Sequence, residues 1–480
     1  MYTRPRQTLL WATKTIIRQS STSSSNASSL PRPRLNYRDI SQKSEAKIQN
    51  AILRRSNITA DIVLEISRLY NLSNETSRQL NLKRAERGPL GHAIKLAKDD
   101  SERALALERA QALKETIHRL EKELETIEGQ LFPLAESLPN DTHPSAPIGS
   151  GSAAIIVSTH GPRPIPASPL RDHVHVGREL DLIDMESAAT VTGSSWYYLK
   201  NEGALLELAL TNYAMSIALK AGFTPVMTPD VVKVDIARRC GFHPRDESGN
   251  GGPSQNYHLE RRRPEEPELV LAGTAEIPLA GLLARRTLEE KGLPIMFAGL
   301  GRAFRSEAGA RGVDTRGLYR VHQFSKVELF AVTKQEESDR MMEQMAAIQQ
   351  EIFGGLNIPF RVLDMPTEDL GASAYRKYDM EAWMPGRGSW GEISSTSNCT
   401  EYQSRRLHIV YKPSRPDDTA GPLPFAHTLN GTAAAIPRLI VALLENGARI
   451  ENDIIVGIDL PLVLRPFWLG GVNSGKIHFI

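Results

Sequence analysis

Cysteine is scarce in this chain: among 480 residues only Cys240 and Cys399 are present. Two cysteines cannot supply a four-cysteine zinc site, and no pair of histidines has the spacing that would complete a mixed one. We therefore expect no zinc and two reduced thiols. Long apolar runs are missing as well, since no stretch of 18 apolar residues occurs. The sequence thus predicts no membrane-spanning helix and no membrane partner.

The chain also has no large excess of charge of one sign. Its net charge is +2, with 24% of residues charged and 40% hydrophobic, as in ordinary soluble globular proteins. This balance excludes a polybasic coat for nucleic acid, so any contact with RNA must be local. The length allows two or three domains, each able to bury its own core.

Acidic residues are absent from the N-terminus, where the first acid is Asp39. The basic residues before it are Arg4, Arg6, Lys14, Arg18, Arg32, Arg34 and Arg38, and a serine-rich tract runs from Ser20 to Ser29. This composition is typical of a mitochondrial transit peptide. Residues 1–34 are therefore predicted to be a leader that directs the chain to the mitochondrial matrix. A plain disordered tail is the alternative.

Heptad spacing marks the next segment, residues 35–140. Apolar residues recur at spacings of 4, 3, 4, 3 and 4, at Leu113, Ile117, Leu120, Leu124, Ile127 and Leu131. This seam predicts a coiled-coil helix, and a similar stripe that begins at Ile62 predicts a second one. An antiparallel helical hairpin is expected, although composition alone leaves a dimerisation or spacer element open. Pro89 should stop or kink the first helix near Arg87, because proline removes a helix hydrogen bond.

The remaining chain divides into a short linker and a large α+β region. Residues 141–170 are rich in proline, serine and glycine, and we interpret them as a linker. Residues 171–480 then alternate between helical and strand patterns. A helix is predicted from Leu205 to Ala221, followed by a short strand between Phe223 and Asp230. An antiparallel sheet flanked by helices is the expected core.

Three separated stretches carry the candidate chemistry. They are, in chain order, Phe304–Glu307 with Arg320–Glu328, then Gly391–Cys399, and finally Leu429–Thr432 with a predicted helix from Ile436 to Asn446 that carries Arg438. Together and in this order, these stretches resemble the motifs of class II aminoacyl-tRNA synthetases, most closely those of the seryl-tRNA synthetase family. The resemblance covers residues from about 35 to 470 and implies the catalytic domain of that class over residues 171–480.

The resemblance implies a surface that binds ATP. The implied contacts are Arg305, Ser306, Glu307, Arg320, Phe324, Glu392, Ile393, Ser394, Ser395 and Arg438. Among them, the catalytic residues would be Arg305, Glu392 and Arg438, and the Mg²⁺ ligands would be Glu392 and Ser395. Arginine suits phosphate because it stays charged, and a carboxylate combined with phosphate oxygens suits Mg²⁺. Strand alternation predicts one shared face for Arg305 and Glu307, and another for Arg320, Phe324 and Glu328.

The resemblance also implies a pocket for L-serine. Its residues would be Thr274, Ala275, Glu276, Glu328 and Thr432, with Thr274 and Glu276 on one side of a strand. A buried site that hydrogen-bonds a substrate hydroxyl rejects analogues without it, because the site's own groups are then left unpaired. For Thr432 the alternative is a helix N-cap, since it lies shortly before the predicted helix.

By this resemblance the chain would be a homodimer that joins serine to serine tRNA, with ATP as substrate. The helix and strand between Leu205 and Asp230 resemble the motif at the class II dimer interface. The helical arm would bind the tRNA, and the loop from Ala308 to Arg316 would contact its acceptor stem. The alternative is a synthetase relative that lost aminoacylation and binds RNA or loads a carrier protein. A relative that lost aminoacylation should lack a motif arginine or carboxylate, and all of them are present in this sequence. An enzyme that loads a carrier protein should lack the arm, and this sequence has one.

Overall fold

The computed structural model describes residues 30–242, 256–306, 317–414, 421–471 and 475–480. Its helices are α1 Tyr37–Gln42, α2 Ser44–Leu53, α3 Ala60–Ala85, α4 Arg87–Leu96, α5 Asp100–Glu136, α6 His173–Glu179, α7 Glu186–Thr192, α8 Asn201–Lys220, α9 Val234–Arg239, α10 Glu276–Leu282, α11 Ser338–Gly355, α12 Tyr402–Leu407 and α13 Ile436–Gly447. Within these ranges, no helix has the length and hydrophobicity needed to cross a bilayer.

The strands fall into one large sheet and several small ones. They are β1 Ile155–His160, β2 Ile183–Asp184, β3 Tyr198–Leu199, β4 Thr224–Met227, β5 Val231–Lys233, β6 His258–Leu259, β7 Leu269–Leu271, β8 Thr287–Glu289, β9 Ile295–Phe304, β10 Gln323–Thr333, β11 Phe360–Asp364, β12 Arg376–Met384, β13 Ser389–Thr400, β14 Val410–Lys412, β15 His427–Ala435, β16 Ala448–Glu451, β17 Ile454–Leu460 and β18 Ile477–Phe479.

The N-terminal arm is a hairpin of α3 against α4 and α5. Near its base Ile66 packs with Ile127, and farther out Leu80 packs with Ile117, so the two long helices run antiparallel. The predicted seam is the buried face of α5: Ile117, Leu120, Ile127 and Leu131 are at most 5% exposed. The helical hairpin predicted from the heptad spacing is confirmed.

A break interrupts the first arm helix where the sequence predicts it. Helix α3 ends at Ala85 and α4 begins at Arg87, with Glu86 between them. Pro89 therefore lies in the first turn of α4, where a missing backbone N–H costs no hydrogen bond within that helix. Continuing α3 through this point would leave the Ala85 carbonyl without its helical donor.

The large sheet forms the centre of the α+β region. Its eight strands lie in the order β1-β11-β12-β13-β15-β10-β9-β4, and every neighbouring pair is antiparallel except β4 with β9. Alternation along β10 separates the two faces: Val327 and Leu329 pack with α8, α11 and α13, whereas Phe330 packs with α9 and α10. The predicted antiparallel sheet flanked by helices is confirmed.

The predicted linker contains part of the sheet, which corrects its interpretation. Within residues 141–170, β1 pairs with β11 over Ile155–His160 and forms one edge of the large sheet. The run Ile155-Ile156-Val157 is the strand signal that the surrounding proline and glycine obscured. Outside β1, the regular structure in this segment consists of two short 3-10 turns, Gly151–Ala153 and the start of Pro169–Arg171.

The predicted boundary of the leader also needs a correction. Arg239 donates a hydrogen bond of 2.9 Å to the Pro31 carbonyl, and the Arg34 backbone N–H donates one of 3.0 Å to Arg405. Arg32 lies over the Phe132 ring at 4.3 Å. Residues 30–34 are thus packed on the folded protein, and the leader prediction otherwise concerns residues 1–29, which lie outside the described residues.

Candidate active site

A cleft on the large sheet brings together most of the predicted nucleotide residues. Strands β10, β13 and β15 form its floor, and the start of α13 forms one wall. The residues that line it are Arg305, Leu318, Tyr319, Arg320, Val321, Phe324, Lys326, Glu392, Ile393, Ser394, Ser395, Thr432, Ala435, Pro437 and Arg438. Residues more than 130 positions apart in sequence therefore share one surface.

Arg305 stands at one end of this cleft. It follows β9, which ends at Phe304, so it extends from the strand end and not from the strand itself, contrary to the prediction. Its backbone N–H donates to the His322 carbonyl at 2.8 Å, and its Nε donates to the Gly273 carbonyl at 3.4 Å. The guanidinium carbon lies 5.2 Å from the centre of the Phe324 ring. These contacts hold the charge beside an aromatic face, in a position suited to an anionic ligand.

The returning strand begins later than predicted. Strand β10 starts at Gln323, so Arg320 precedes it, while Phe324 and Glu328 lie on the strand at positions of the same parity. Arg320 nevertheless lines the cleft beside Phe324. The prediction that Arg320 shares a strand face with Phe324 and Glu328 is therefore wrong. The expected proximity of Arg320 to Phe324 is observed. Glu307 lies outside the described residues, and Ser306 is the last residue described before that gap.

Helix α13 places Arg438 opposite Glu392. The helix begins at Ile436 with Pro437 in its first turn, as predicted. Arg438 Nη1 lies 3.2 Å from the Glu392 carboxylate and donates at 3.1 Å to the Glu392 carbonyl. Burial raises the pKa of Glu392, but the positive charges of Arg438, Lys377 and Arg305 outweigh it and hold that pKa well below its usual range. Glu392 is therefore ionised at neutral pH.

The residues beside Glu392 on β13 differ in what they offer to a ligand. Ser394 is 2% exposed and its hydroxyl donates at 2.6 Å to the Thr432 carbonyl, and the Ile393 side chain is fully buried. Both residues nevertheless line the cleft. Ser395 lies on the cleft, opposite Asp379 of β12.

Asp379 is an acidic neighbour that the sequence analysis missed. It is 5% exposed, and Lys377 Nζ lies 2.8 Å from its carboxylate. Burial raises the pKa of Asp379; Lys377 opposes this shift, and the charge of Glu392 adds to it. Alternation in the Arg376–Met384 strand puts Lys377 and Asp379 on one face, but only the pairing of β12 with β13 brings them to Glu392.

The donors on this side of the cleft fit Mg²⁺ when a nucleotide is also bound. Among the described residues, no cluster of three or more His, Cys, Asp or Glu side chains could hold a metal ion alone. The ionised Glu392 and the Ser395 hydroxyl are hard oxygen donors, and Mg²⁺ is commonly bound by one or two carboxylates together with substrate phosphates and water. Phosphate oxygens would have to complete the coordination.

Glu328 and Thr432 face each other deeper in the sheet. They are partners in the pairing of β10 with β15, and they are 1% and 6% exposed. Glu328 forms an ion pair with Lys326. Burial raises its pKa, and the charges of Lys326 and Arg305 reduce that shift. Thr432 lies inside β15, and the N-cap position of α13 is Ala435, so the capping alternative for Thr432 is wrong.

Glu276 lies beside this pair but on a helix. It is the first residue of α10 and Ala275 is the N-cap, so the predicted strand at Thr274 and Glu276 is wrong. The run Glu276-Ile277-Pro278-Leu279 is compatible with a helix as well as with a strand, because proline is tolerated in a first helical turn. The Glu276 backbone N–H donates at 3.3 Å to the Thr274 hydroxyl, which keeps these two predicted residues in contact.

Two amide side chains that the sequence analysis missed hold the Glu276 carboxylate. Gln403 Nε2 and Asn430 Nδ2 donate to its Oε1 at 2.6 and 3.0 Å. Burial together with the negative charge of Glu328 raises the pKa of Glu276 to about 7, although the Gln403 hydrogen bond opposes the shift. No local pattern announces this contact, because the partners are 127 and 154 residues away in sequence.

Comparison with known proteins agrees with this geometry. Residues 257–447 match the family described as the tRNA synthetase class II core domain (G, H, P, S and T). The serine–tRNA ligase of Treponema denticola is 42% identical over 90% of this chain and 98% of its own length. The mitochondrial serine–tRNA ligase of Schizosaccharomyces pombe is also 42% identical, over 90% of this chain and 88% of its own length.

A solved structure gives the same result. The crystal structure of seryl-tRNA synthetase from Pyrococcus horikoshii complexed with ATP superposes with a TM-score of 0.80 at 33% identity, covering 90% of this chain and 98% of that one. The antiparallel sheet with its cleft is the catalytic core of a class II aminoacyl-tRNA synthetase. Since relatives at 42% identity extend over nine-tenths of it, the chain belongs to the seryl-tRNA synthetase family, the serine–tRNA ligases of that class.

Proposed function

We propose that this chain activates L-serine with ATP to seryl-adenylate and transfers serine to the 3′ end of serine tRNA in mitochondria. One observation carries the proposal: a cleft lined by cationic groups suited to phosphate adjoins buried carboxylates suited to an ammonium group. Arg305 and Arg438 line the cleft at its nucleotide end. At its serine end Thr432 lines the cleft, with the buried Glu328 as its strand partner and the buried Glu276 beside Glu328.

The nucleotide end would act by charge and positioning. When the serine carboxylate attacks the α-phosphorus and pyrophosphate leaves, negative charge spreads over the phosphate oxygens. Arg305 would stabilise that charge at the α-phosphate, and Arg438, held by Glu392 at 3.2 Å, would contact the γ-phosphate. Phe324 would stack on the adenine and Arg320 would add a second phosphate contact. A Mg²⁺ ion held by Glu392 and Ser395 would neutralise phosphate charge when bound. No covalent enzyme intermediate is required.

Polar side chains at the serine end would bind the amine and the hydroxyl of serine. Glu328 and Glu276 offer carboxylates to the ammonium group, and the Thr432 hydroxyl lies opposite Glu328 on the neighbouring strand. Because all three are at most 6% exposed, an analogue without the hydroxyl would leave buried polar groups unpaired. Thr274 orders Glu276 through its backbone N–H. This arrangement supports selection of serine over alanine.

The test is serine-dependent ATP–pyrophosphate exchange by the purified chain, followed by charging of mitochondrial RNA. Exchange and charging with serine, but not with alanine, are expected. Exchange without charging, combined with transfer of serine to a carrier protein, would favour the carrier-loading alternative. Neither exchange nor charging, with RNA binding retained, would favour a relative that has lost activity. Against both alternatives, Arg305, Glu392 and Arg438 line one cleft and the arm is present.

Serine binding is expected to weaken as the pH falls below 7. The pKa of Glu276 is raised to about 7, so the carboxylate that would attract the serine ammonium is protonated in the more acidic range. One pH unit below the pKa only about a tenth of the groups are ionised, and the KM for serine should rise about tenfold between pH 8 and pH 6. Glu276→Gln should give a high KM that changes much less between pH 8 and pH 6, with any remaining change due to Glu328, whose pKa is also raised by burial. A KM that stays flat in the unsubstituted enzyme would contradict a role for this carboxylate.

We infer that two copies pair through the face formed by α8 and β4. Strand β4 is the last strand of the large sheet, and Met227 on it is 78% exposed. Leu208 and Leu219 on α8 are 45% and 42% exposed. An apolar face beside an open sheet edge is normally covered by a partner. Sedimentation equilibrium should give the mass of a homodimer, and a monomer at micromolar concentration would contradict the inference.

Localisation to the mitochondrial matrix is supported by the basic, acid-free composition before Asp39 and by mitochondrial relatives in fission yeast and mouse. The full chain should enter isolated mitochondria, whereas a chain that begins at Leu30 should not. Because residues 30–34 contact the folded protein, the shortened chain should keep full exchange activity in vitro. Its normal import would contradict a targeting role for residues 1–29.

A further inference from the structure

A buried histidine–glutamate pair lies behind the nucleotide end of the cleft. His173 is the first residue of α6, and Glu445 is in the last turns of α13. Their side chains are 6% and 1% exposed, and His173 Nδ1 lies 2.8 Å from Glu445 Oε1. Neither residue lines the cleft, and neither has a role in the chemistry proposed above. A carboxylate buried this deeply is costly unless hydrogen bonds replace its lost hydration, so the groups that donate to Glu445 must be held in place around it.

The other imidazole nitrogen fixes the tautomer of His173. The Leu318 backbone N–H donates to His173 Nε2 at 3.2 Å, so Nε2 accepts and the proton of the neutral ring is on Nδ1, which donates to Glu445. The contact is tight. A Cβ atom added to Gly317 would lie 2.1 Å from Nε2, and Gly317 has a φ of +62° that favours glycine. His173 thereby fixes the backbone at residues 317–318.

Glu445 fixes a second segment with its other oxygen. Gly386 and Arg387, in the turn between β12 and β13, donate their backbone N–H groups to Oε2 at 2.8 and 3.2 Å. The His173 backbone N–H also donates to Oε1 at 3.4 Å. Four N–H donors therefore converge on one carboxylate. The pair joins the chain before β10, the β12–β13 turn and helix α13 at a single point.

The two segments meet at the Tyr319 ring, directly beside Arg438. The guanidinium carbons of Arg387 and Arg438 lie 4.5 and 4.7 Å from the centre of that ring. Arg438 Nε also donates at 3.3 Å to the Tyr319 carbonyl. His173 holds the backbone at residues 317–318, next to Tyr319, so both contacts of Arg438 with Tyr319 depend on His173. Arg387 lies in the β12–β13 turn and depends in the same way on Glu445.

We propose that His173 and Glu445 are positioning residues for ATP: they fix Tyr319 and Arg387 so that the Arg438 guanidinium stays aimed into the nucleotide end of the cleft. The inference rests on the proposed ATP-dependent activation of serine. A long guanidinium side chain has many rotamers, and contacts that restrict it in advance reduce the entropy lost when it binds phosphate. Serine binds at the other end of the cleft and should not be affected.

The test compares four variants in serine-dependent pyrophosphate exchange. His173→Leu removes both hydrogen bonds of the ring and should raise the KM for ATP about tenfold while the KM for serine changes less than twofold. His173→Gln, whose amide oxygen can reach the Leu318 N–H, should recover most of the loss. Tyr319→Leu removes the ring without touching the buried pair and should also raise the KM for ATP. His175→Leu, on the same helix with a side chain 31% exposed, is the control and should behave as wild type.

The outcomes separate a positioning role from a structural one. If His173→Leu fails to fold, Tyr319→Leu decides, and an unchanged KM for ATP in that variant overturns the proposal. If His173→Leu folds and raises both KM values equally, the pair has only a general structural role. A double variant that combines His173→Leu with Tyr319→Leu should have a KM for ATP no higher than that of the worse single variant, because both changes act through the contact of Tyr319 with Arg438. Absence of exchange in the unsubstituted chain would instead contradict the proposed function itself.

Discussion

Arg305→Ala should lower serine-dependent ATP–pyrophosphate exchange at least about 100-fold and leave the protein folded. In the transition state, charge develops on the α-phosphate oxygens, and loss of one fixed donor to such a charge costs on the order of 100-fold in rate. Arg305 lines the cleft, and its guanidinium carbon lies 5.2 Å from the centre of the Phe324 ring. Exchange rates at saturating serine and ATP provide the measurement.

Arg302→Ala is a matched control for this variant. Arg302 is three residues earlier, on β9, but its side chain is 49% exposed and lies 3.7 Å from Glu207, outside the nucleotide cleft. Its exchange should stay within about twofold of the unsubstituted protein, as is usual for exposed ion pairs. Far-ultraviolet circular dichroism and the unfolding midpoint should be the same for both variants. An Arg305→Ala protein with near-normal exchange would exclude Arg305 from the active site.

Local patterns in the sequence were enough to predict the elements with strong periodicity. The α5 seam at Ile117 and Leu131 follows directly from heptad spacing, and the break before α4 follows from Pro89. The helix predicted from Leu205 to Ala221 is observed as α8, with Gly222 just past its end at a φ of +91°. In each case a few neighbouring residues determine the geometry, so the inference needed no tertiary information.

Predictions failed where distant parts of the chain determine the structure. Strand β1 has a local signal in its run of β-branched residues, but its partner β11 lies 200 residues or more later in the chain (His160 pairs with Phe360), and no local pattern identifies that partner. Gln403 and Asn430 reach Glu276 across 127 and 154 residues. Lys377 and Asp379 come close to Glu392 only because β12 pairs with β13. The motif resemblance identified the groups implied to meet substrate, and the groups behind them required the fold.

The connection of the arm to the catalytic region determines how the arm can be tested. Arg54 donates to the Asn140 and Gly371 carbonyls, both at 2.6 Å, and Asn140 Nδ2 donates to the Cys399 carbonyl at 2.9 Å. Cys399 in turn accepts from Asn430 at 3.3 Å, and Asn430 also donates to Glu276, so the arm base is close to the proposed serine pocket. A deletion that disturbed this base would change serine activation through loss of these hydrogen bonds, whether or not the arm binds tRNA. The cut must therefore lie in the outer half of the hairpin.

Removal of residues 72–124, with Asn71 and Glu125 joined by a short glycine–serine linker, should abolish tRNA charging but preserve activation. The base cluster with Ile66, Leu69 and Ile127 remains, whereas the outer cluster around Leu80 and Ile117 is lost. Pyrophosphate exchange should stay within about threefold of normal, because none of the residues that line the proposed substrate cleft is deleted. The kcat/KM for tRNA should fall at least about 100-fold, the loss of two or three strong interface contacts, mainly through a higher KM.

A finer variant tests whether the shape of the arm matters beyond its presence. Gly88→Ala with Pro89→Ala should let α3 continue through Glu86, since alanine favours a helix where glycine and proline disfavour it. The outer helices would then be displaced, and the KM for tRNA should change while the KM for serine does not. Leu64→Ala, at an exposed position of α3 near the arm base with 53% exposure, is the control and should alter neither value. If the outer deletion charges serine tRNA normally, the hairpin does not bind tRNA, and the dimerisation or spacer role that composition allowed becomes the better interpretation.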